Sequence, residues 1–299
     1  MLHSSTHRLR MAAHAKGLGL LALLGVMALP AAYAETLPHL SANCFTYSPG
    51  QVSKTKQGGL IIKNMQAELT GTQHRITVRS STVVDHKRTL DAAGLARLNA
   101  AVAYAALTAY HRGMTEACAN QPLPGVQEVK NALPEMSWQG ITLTRPDRAS
   151  TASTAHVRVL STSPAIHFLF DANGMTSPQA ILLPPSVSGD ITFIPSSQPP
   201  YHVTVNQLHT ALNGSDIDGR GDVLATVGRE NLKADVHLSI SHIGEMIDQL
   251  GKIAPTKITA ALLIARIMGE REPNHRTGWH ITLEHDTIHV NGVKVPMPF

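Results

Sequence analysis

The stretch Leu232-Lys-Ala-Asp-Val-His-Leu-Ser-Ile240 alternates apolar and polar residues without a break. Period-2 alternation over this length predicts a β-strand with one buried side and one side facing solvent. At Ser241 the period changes, and from there to Leu250 the apolar residues follow the i, i+3, i+4, i+7 spacing of a helix. The sequence therefore predicts a strand with an apolar face and, directly after it, a helix that can cover that face.

Shorter alternating runs occur along most of the chain. They lie at 60–62, 73–84, 141–144, 156–159, 168–170, 191–193, 203–205 and 223–227. Regularly spaced short runs separated by turn residues are typical of antiparallel sheets. Asn291-Gly292, between two alternating runs, predicts a hairpin. We therefore expect an α+β fold, a curved antiparallel β-sheet with helices packed on its apolar face.

Two more segments have helical spacing. The first runs from Asp91 to Arg112, is rich in alanine and has Asp91 as its N-cap. The second, Thr256 to Met268, is apolar almost all round, so it could lie in lipid or line a ligand groove. We favour a helix packed on the sheet with both sides buried, because interfacial helices usually carry a strongly charged face. Residues 35–59 are expected to be irregular.

The first 34 residues have the pattern of a secretory signal peptide. A basic region precedes an apolar run from Leu18 to Leu29, and Ala32-Tyr33-Ala34 completes an A-x-A site. Cleavage is therefore predicted after Ala34, with export to the periplasm and no retained transmembrane segment. An uncleaved membrane anchor is the alternative, since the apolar run is nearly long enough to span a bilayer.

The composition of the chain argues against one class of function, nucleic-acid binding, and says little about the others. The chain has 299 residues, 43% of them hydrophobic and 15% charged, with a formal charge of +4. Three of the 25 basic residues lie in the leader, so 22 remain against 21 acidic ones. A chain so nearly neutral gives no indication of a nucleic-acid partner.

The two cysteines of the chain are Cys44 and Cys118. In an exported protein an even pair predicts one disulfide, although two unrelated buried thiols would fit the same count. The bridge would join the start of the mature chain to the end of its first helix. A proline-rich stretch from Gln121 to Pro134 then suggests a boundary. We divide the mature chain into an N-terminal segment, 35–125, and a main sheet domain, 126–299.

The last third of the chain resembles AsmA-like and related periplasmic proteins of Gram-negative envelopes. The resemblance rests on Gly219-Arg-Gly-Asp-Val223, Leu232 to Ile240, Trp279 and Ile288-His-Val-Asn-Gly-Val293. It implies a curved antiparallel sheet with an apolar inner face and a role in envelope or lipid homeostasis. It supplies no catalytic residues.

No motif indicates catalysis, a cofactor or a metal. Asp216 to Asp222 looks like a calcium loop, but the last ligand position of an EF-hand would fall on Val227, so we expect the Asp and Gly residues to form a turn. His280, His285 and His289 lack a close-spaced ligand pair, so we interpret them as part of a polar sheet face. G-x-S-x-G is absent from the sequence.

These observations favour a protein that is not an enzyme and that binds a lipid or another apolar ligand on the sheet face. The residues predicted to line the site come from the strands and from the helix after the first strand: Val236, Leu238, Ile240, Ile243, Met246, Ile247, Ile281 and Leu283. Two alternatives stay open, a structural or scaffolding partner of an envelope complex and a hydrolase without a local motif. The decisive quantity is the area of apolar face that the helices leave uncovered.

Overall fold

The computed structural model describes residues 40–295 except 112, 120, 122–123, 131, 179, 181, 197–199, 226–232 and 285–286. The predicted leader and its cleavage site lie outside these residues, as do Leu232 at the start of the predicted strand and His285 of the histidine group. Within the described part of the chain, no helix is long and apolar enough to cross a membrane.

The strands form a single open antiparallel sheet, so the predicted antiparallel architecture is confirmed. The main path is β1-β3-β4-β5-β6-β7-β8-β9-β10-β11-β13-β14-β15, with β2 paired beside β3 and β12 beside β13. The strands are β1 (Phe45–Ser48), β2 (Gln51–Lys54), β3 (Leu60–Leu69), β4 (His74–Asp85), β5 (Pro134–Arg145), β6 (Arg148–Ser161), β7 (Ile166–Asn173), β8 (Ser186–Ile194), β9 (Tyr201–Leu212), β10 (Ser215–Ala225), β11 (Lys233–Ser241), β12 (Glu270–Glu272), β13 (Arg276–Glu284), β14 (Thr287–Val290) and β15 (Val293–Val295).

The described helices are α1 (Ala92–His111), α2 (Val126–Lys130), α3 (Ile243–Leu250) and α4 (Thr256–Met268). Asp91 caps α1 as expected, since its Oδ1 accepts the Gly94 N–H at 2.8 Å. The bounds of α4 agree with the sequence prediction. Helix α3 begins two residues later than predicted, because Ser241 still belongs to β11 and His242 adopts a left-handed conformation with φ 47°.

Two sequence predictions about irregular structure are wrong. Residues 35–59 contain β1 and β2, and the polar composition there suits β2 because all four of its residues are exposed. The stretch from Asp216 to Asp222, which was predicted to be a turn, belongs to strand β10. The turn is confined to the preceding Asn213-Gly214, because β10 begins at Ser215. Gly221 has φ +151°, and a Cβ there would lie 2.1 Å from the Asp235 carbonyl oxygen. Glycine thus allows close strand pairing at this bulge rather than a turn.

One hydrophobic core lies where α1 meets β3, β4 and β5. Its polar centre is Asn99, which is fully buried. The Asn99 Oδ1 accepts hydrogen bonds from the Ser81 hydroxyl at 2.7 Å and from Trp138 Nε1 at 2.8 Å, and its Nδ2 donates to Tyr47 at 3.0 Å. Because every buried polar atom of this amide has a partner, the network fixes α1 on the sheet without an unpaired polar group.

The predicted disulfide is confirmed, since Cys44 and Cys118 are bonded with their Cα atoms 5.0 Å apart. The bridge ties the start of β1 to the short turn of 3-10 helix (Glu116–Cys118) that follows α1. The predicted boundary near Gly125 lies between β4 and β5, which pair with each other in the sheet. The division into 35–125 and 126–299 remains a prediction.

A second core lies at the other end of the sheet. It joins Leu212 of β9, Ile240 of β11 and Trp279 of β13 to the inward residues of α3, which are Ile243, Met246, Ile247 and Leu250. The prediction that α4 is buried on both sides is wrong, because none of its residues is buried. It lies over α3 and the sheet edge with one side facing outward.

Candidate functional site

A row of paired residues crosses the apolar face from one core to the other. Each member is the register partner of the next, so all of them lie on the same side of the sheet. The row runs through Leu60, Val83, Met136, Val157, Phe170, Gly189, Leu208, Gly219, Leu238 and Trp279. Nine strand spacings correspond to about 43 Å along the sheet.

Several apolar side chains in the centre of this face are half-buried and belong to neither core, although their neighbours Val159, Ile166, Ile191 and Tyr201 are buried. The half-buried ones are Val157, Phe168, Phe170, Val187, Phe193, Val203, Val205 and Leu208. Register shifts at Val159/Ser161, Asp190/Ile191 and Gly219/Gly221 interrupt the ladders here. Such bulges bend strands and increase their twist, which is how an open sheet becomes curved.

Helix α4 is held at its C-terminal end by two side chains of the sheet. Trp279 Nε1 donates to the carbonyl oxygen of Ala265 at 2.8 Å, and Asn291 Nδ2 donates to the carbonyl oxygen of Met268 at 2.7 Å. Asn291 belongs to the predicted Asn-Gly turn between β14 and β15, where it has φ 49°. The hairpin that the sequence predicts therefore satisfies carbonyl groups that the helix end leaves unpaired.

Between α4 and the sheet lies an apolar cavity of about 410 Å³, which we call the α4 cavity. Every residue that lines it is apolar. They are Leu238, Ile240, Ile243, Ala261, Leu262, Ile264, Ala265, Met268, Trp279, Ile281, Val290 and Val295. The volume falls in the range of small-molecule sites, and such a lining suits a hydrocarbon group. The one lining group that can donate a hydrogen bond, the Trp279 indole N–H, is bonded to Ala265.

The structure places the eight predicted site residues in three positions. Leu238, Ile240, Ile243 and Ile281 line the α4 cavity. Met246 and Ile247 are buried in the second core, at 2% and 3% exposure. Val236 and Leu283 are half-buried on the same sheet face, because they pair with Ile281 and Ala234 across β11 and β13.

From the sequence α4 was considered as a wall of a ligand groove, but a helix buried on both sides was favoured, and the contribution of the C-terminal hairpin was missed. Five residues of α4 line the cavity, together with Val290 and Val295. The sequence did contain a signal for α4, because this helix is apolar on nearly all sides. Whichever side faces the sheet therefore presents uncharged residues to it. What could not be read from the chain was the distance between α4 and the strands.

A smaller apolar cavity of about 270 Å³, the α1 cavity, lies near the other core. Residues of α1 and α2 form one wall, and Ile166, Phe168 and Phe193 of β7 and β8 form the other. Burial raises the pKa of Tyr104, another lining residue, to about 12. Its phenol is therefore neutral at any physiological pH, as an apolar environment requires.

The opposite face of the sheet carries cross-strand pairs of histidine and carboxylate. Their N···O distances are 2.6 to 3.0 Å, and the pairs are His86–Glu135, His156–Glu135, His167–Asp190, His202–Asp222, His209–Asp218, His237–Glu272 and His280–Asp235. The pKa of Glu135 is lowered, mainly by its hydrogen bond with His86. That of Asp222 is lowered first by the Thr204 hydroxyl and then by His202. Most of these groups are partly exposed, so the pairs contribute little stability each.

Two observations on this polar face bear on metal binding and on catalysis. In the described residues, no group of three or more His, Cys, Asp and Glu side chains could hold a metal ion. Ser239, which is buried beside His237, bonds Glu272 at 2.5 Å and Arg276 at 2.7 Å. Its hydroxyl donates to the Glu272 carboxylate and accepts from Arg276 Nε, and His237 bonds the same carboxylate at 2.8 Å rather than the hydroxyl.

Comparison with known proteins finds no matching family model, no matching curated protein and no matching solved structure.

Proposed function

We propose that the protein binds a lipid or another apolar ligand, with the hydrocarbon part of that ligand in the α4 cavity. The observation that carries the proposal is the lining of this cavity, in which all twelve residues are apolar. A cavity without a free polar group offers no specific contact to a polar ligand, whereas an acyl chain needs none. The polar part of such a ligand would remain outside.

The half-buried centre of the apolar face supports the same proposal. The α4 cavity shares Leu238 and Trp279 with the row that crosses the sheet toward the α1 cavity. Large apolar surfaces that remain accessible are usually binding surfaces. In this proposal the helices are covers packed on the apolar face. Helix α1 closes its end of the face and α4 leaves a gap.

We place this function in the cell envelope. The disulfide between Cys44 and Cys118 is the kind of bond that persists in oxidising compartments, which supports the predicted export. The resemblance of the last third of the chain to AsmA-like proteins points to the same location. Periplasmic localisation and the family relationship are both parts of the proposal.

Native mass spectrometry tests the proposal directly. Protein would be purified from the periplasm without detergent and measured before and after extraction with organic solvent. We expect a discrete added mass that passes into the solvent, together with a lower Tm of the extracted protein, because a ligand that binds only the folded state stabilises it. A bare mature mass, two hydrogens light for the disulfide, would contradict the proposal.

A matched pair of variants on α4 locates the ligand. Ala261→Trp fills the cavity from the helix side, whereas Ala260→Trp places the same ring on the exposed outer side of the same helix. We expect Ala261→Trp to lose the added mass and Ala260→Trp to keep it. Retention by both variants would show that the ligand lies elsewhere on the protein.

The scaffolding and hydrolase hypotheses stay as alternatives. A specific protein crosslinked in cells, and lost when Lys233 or Asp235 is changed, would support the scaffold. Turnover in an esterase or glycosidase screen would support the hydrolase.

A further inference from the structure

Helix α4 has a second apolar stripe, on its outer side. Ala260, Leu263, Ile264 and Ile267 follow the i, i+3, i+4, i+7 spacing of one helix face. The three large residues are exposed to 45%, 59% and 83% in that order. Ile264 also lines the α4 cavity, so the stripe begins at the edge of that cavity and continues outward from it. Isolated exposed apolar residues are common, but an aligned stripe of them is typical of an interaction surface.

The charged residues around this stripe are balanced in sign. Residues 245–272 contain four basic and four acidic side chains. They are Lys252, Lys257, Arg266 and Arg271, and Glu245, Asp248, Glu270 and Glu272. A surface that meets a second copy of itself brings its own set of charges together, and a surface of one sign would repel its copy. A balanced surface can instead place each charge near an opposite one.

The positions of two of these charges suit an antiparallel pair of α4 helices. Lys257 lies three residues before the stripe and Glu270 lies three residues after it, and both are exposed. In the described part of the chain, neither of them has an ion-pair partner. A two-fold axis at the centre of the stripe, between Leu263 and Ile264, places Lys257 of each copy opposite Glu270 of the other. Each pairing of two copies would therefore contain two such ion pairs.

The sizes of the stripe residues suit the same arrangement. About the same two-fold axis Ile267, the most exposed residue of the stripe, lies opposite Ala260, its smallest. Leu263 lies opposite Ile264. A large side chain that faces a small one lets two helices approach closely, as when the ridges of one helix pack into the grooves of another. A parallel pair would instead place Ile267 against Ile267 and Lys257 against Lys257.

We propose that the protein forms a homodimer in which the outer stripes of two α4 helices pack antiparallel, with a Lys257–Glu270 ion pair at each end. One pair of 13-residue helices makes a small interface, and small interfaces belong to weak complexes. We therefore expect a dissociation constant of about micromolar order. Because Ile264 belongs to both surfaces, the second copy would cover the edge of the α4 cavity. Leu263 and Ile267, which carry most of the contact, do not line that cavity.

Sedimentation velocity of the full mature chain, measured from below to well above micromolar concentration, tests the pairing. We expect a reversible equilibrium between monomer and dimer. Ile267→Glu should weaken the dimer about tenfold or more, because a charge would be buried against the partner without a counter-charge. Ile194→Glu, at a residue 47% exposed on β8, is the matched control and should dimerise like the wild type. A wild type that stays monomeric throughout, or an Ile267→Glu dimer as tight as that of the wild type, would overturn the proposal.

Charge reversal distinguishes the antiparallel pair from any other contact of the stripe. Lys257→Glu and Glu270→Lys should each weaken their own dimer about fivefold or more, because like charges then meet at both ends. An equimolar mixture of the two variants should dimerise like the wild type, since each charge again meets an opposite one. About 20 Å of helix separates the two positions within one chain, so an ion pair inside one copy cannot explain such a rescue. A mixture that dimerises no better than either variant would overturn the proposal.

The dimer and the ligand can fail separately. Native mass spectrometry reports the number of protomers and any added mass on each of them. A dimer without an added mass would support the pairing and contradict the ligand proposal, whereas a monomer with an extractable mass would do the reverse. A monomer that floats with phosphatidylglycerol vesicles, and no longer floats as Ile267→Glu, would also overturn the pairing, because the stripe would then bind a bilayer.

Discussion

Helices α1 and α4 contact the two ends of the sheet and are held there differently. Ten residues of α1 are buried, whereas α4 has no buried residue. Helix α1 is fixed by the Asn99 network, and a disulfide that the chain-entropy model values at about 4 kcal/mol closes the chain around it. Helix α4 is fixed by hydrogen bonds from Trp279 and Asn291 to its last carbonyl groups.

Side-chain size explains the difference. Helix α1 turns small residues toward the sheet, with Ala96, Ala100 and Ala103 buried, so its backbone can approach the strands closely. Under α4 the indole of Trp279 stands between the sheet and the helix end, and an ideal Cβ on Gly269 would lie only 2.9 Å from it. One sheet face thus has a core packed closely under α1 with a cavity of about 270 Å³ beside it, and a larger cavity of about 410 Å³ under α4.

The largest effect that separates the two ends is expected from matched leucine truncations. Leu107→Ala in α1 removes a side chain with 0% exposure and should destabilise the protein by about 2–5 kcal/mol. Leu263→Ala in α4 removes one that is 45% exposed and should change the free energy of unfolding by less than about 0.5 kcal/mol. Urea denaturation measures both. Similar losses would show that α4 is packed as tightly as α1.

The next effect concerns Asp85, at the end of β4 where the chain turns toward α1. Its carboxylate accepts N–H bonds from Lys87 at 3.0 Å, Thr89 at 2.6 Å and Leu133 at 3.0 Å. Burial by itself raises the pKa of Asp85, but these bonds together with the Thr89 hydroxyl outweigh it and hold the pKa below its usual value. The charged form is therefore favoured in the folded protein.

Because the folded pKa is depressed, Asp85 contributes stability above its unfolded pKa, about 3.9, and loses that contribution as pH falls toward the folded value. We expect Asp85→Asn to lower the free energy of unfolding by about 2 kcal/mol at neutral pH. Below about pH 4 the variant should lose less of its remaining stability than the wild type as the pH falls. Denaturation midpoints from pH 2 to 7 would measure this. Asp222→Asn, on the exposed face of β10, is the control, and its effect should stay below about 1 kcal/mol. If Asp85→Asn and the wild type lost stability equally between about pH 4 and pH 2, Asp85 would not be the group responsible.

The smallest effect is expected at the attachment of α4. Trp279→Phe removes the N–H that bonds Ala265 and keeps an aromatic ring on β13, so the global loss should be about 1 kcal/mol. Hydrogen exchange should nevertheless accelerate selectively in residues 256–268, because the helix end loses one of its two attachments. Exchange in α1 provides the internal reference. Uniform acceleration in both helices would show that the two ends of the sheet do not open independently.

Much of the fold could be predicted because its signals are local. The alternation after Leu232, the Asp91 cap, the limits of α4 and the Asn291-Gly292 hairpin each depend on a few adjacent residues. The disulfide followed from the even count of cysteines in a chain that is predicted to be exported. Of the candidate site, Leu238, Ile240, Ile243 and Ile281 could be named because strand and helix periodicity assign them to the inner face.

The errors arose where distant partners decide the structure. Gly219 and Gly221 have the composition of a turn, yet the neighbouring strands β9 and β11 hold them in β10. Polar residues such as Gln51 and Ser53 form a strand because β3 offers an edge to pair with. Met246 and Ile247, which are also predicted to line the site, are buried in the second core, and their role as site residues stays a prediction.

By itself the sequence determined that this protein has an antiparallel sheet with one apolar face, since side-chain direction in a strand follows from the period of the chain alone. The tertiary structure adds that α1 packs closely on its strands and that α4 stands over a larger cavity. The distance between a helix and a sheet depends on side chains far apart in sequence, such as Trp279 and Ala265, and no local pattern encodes how closely they meet.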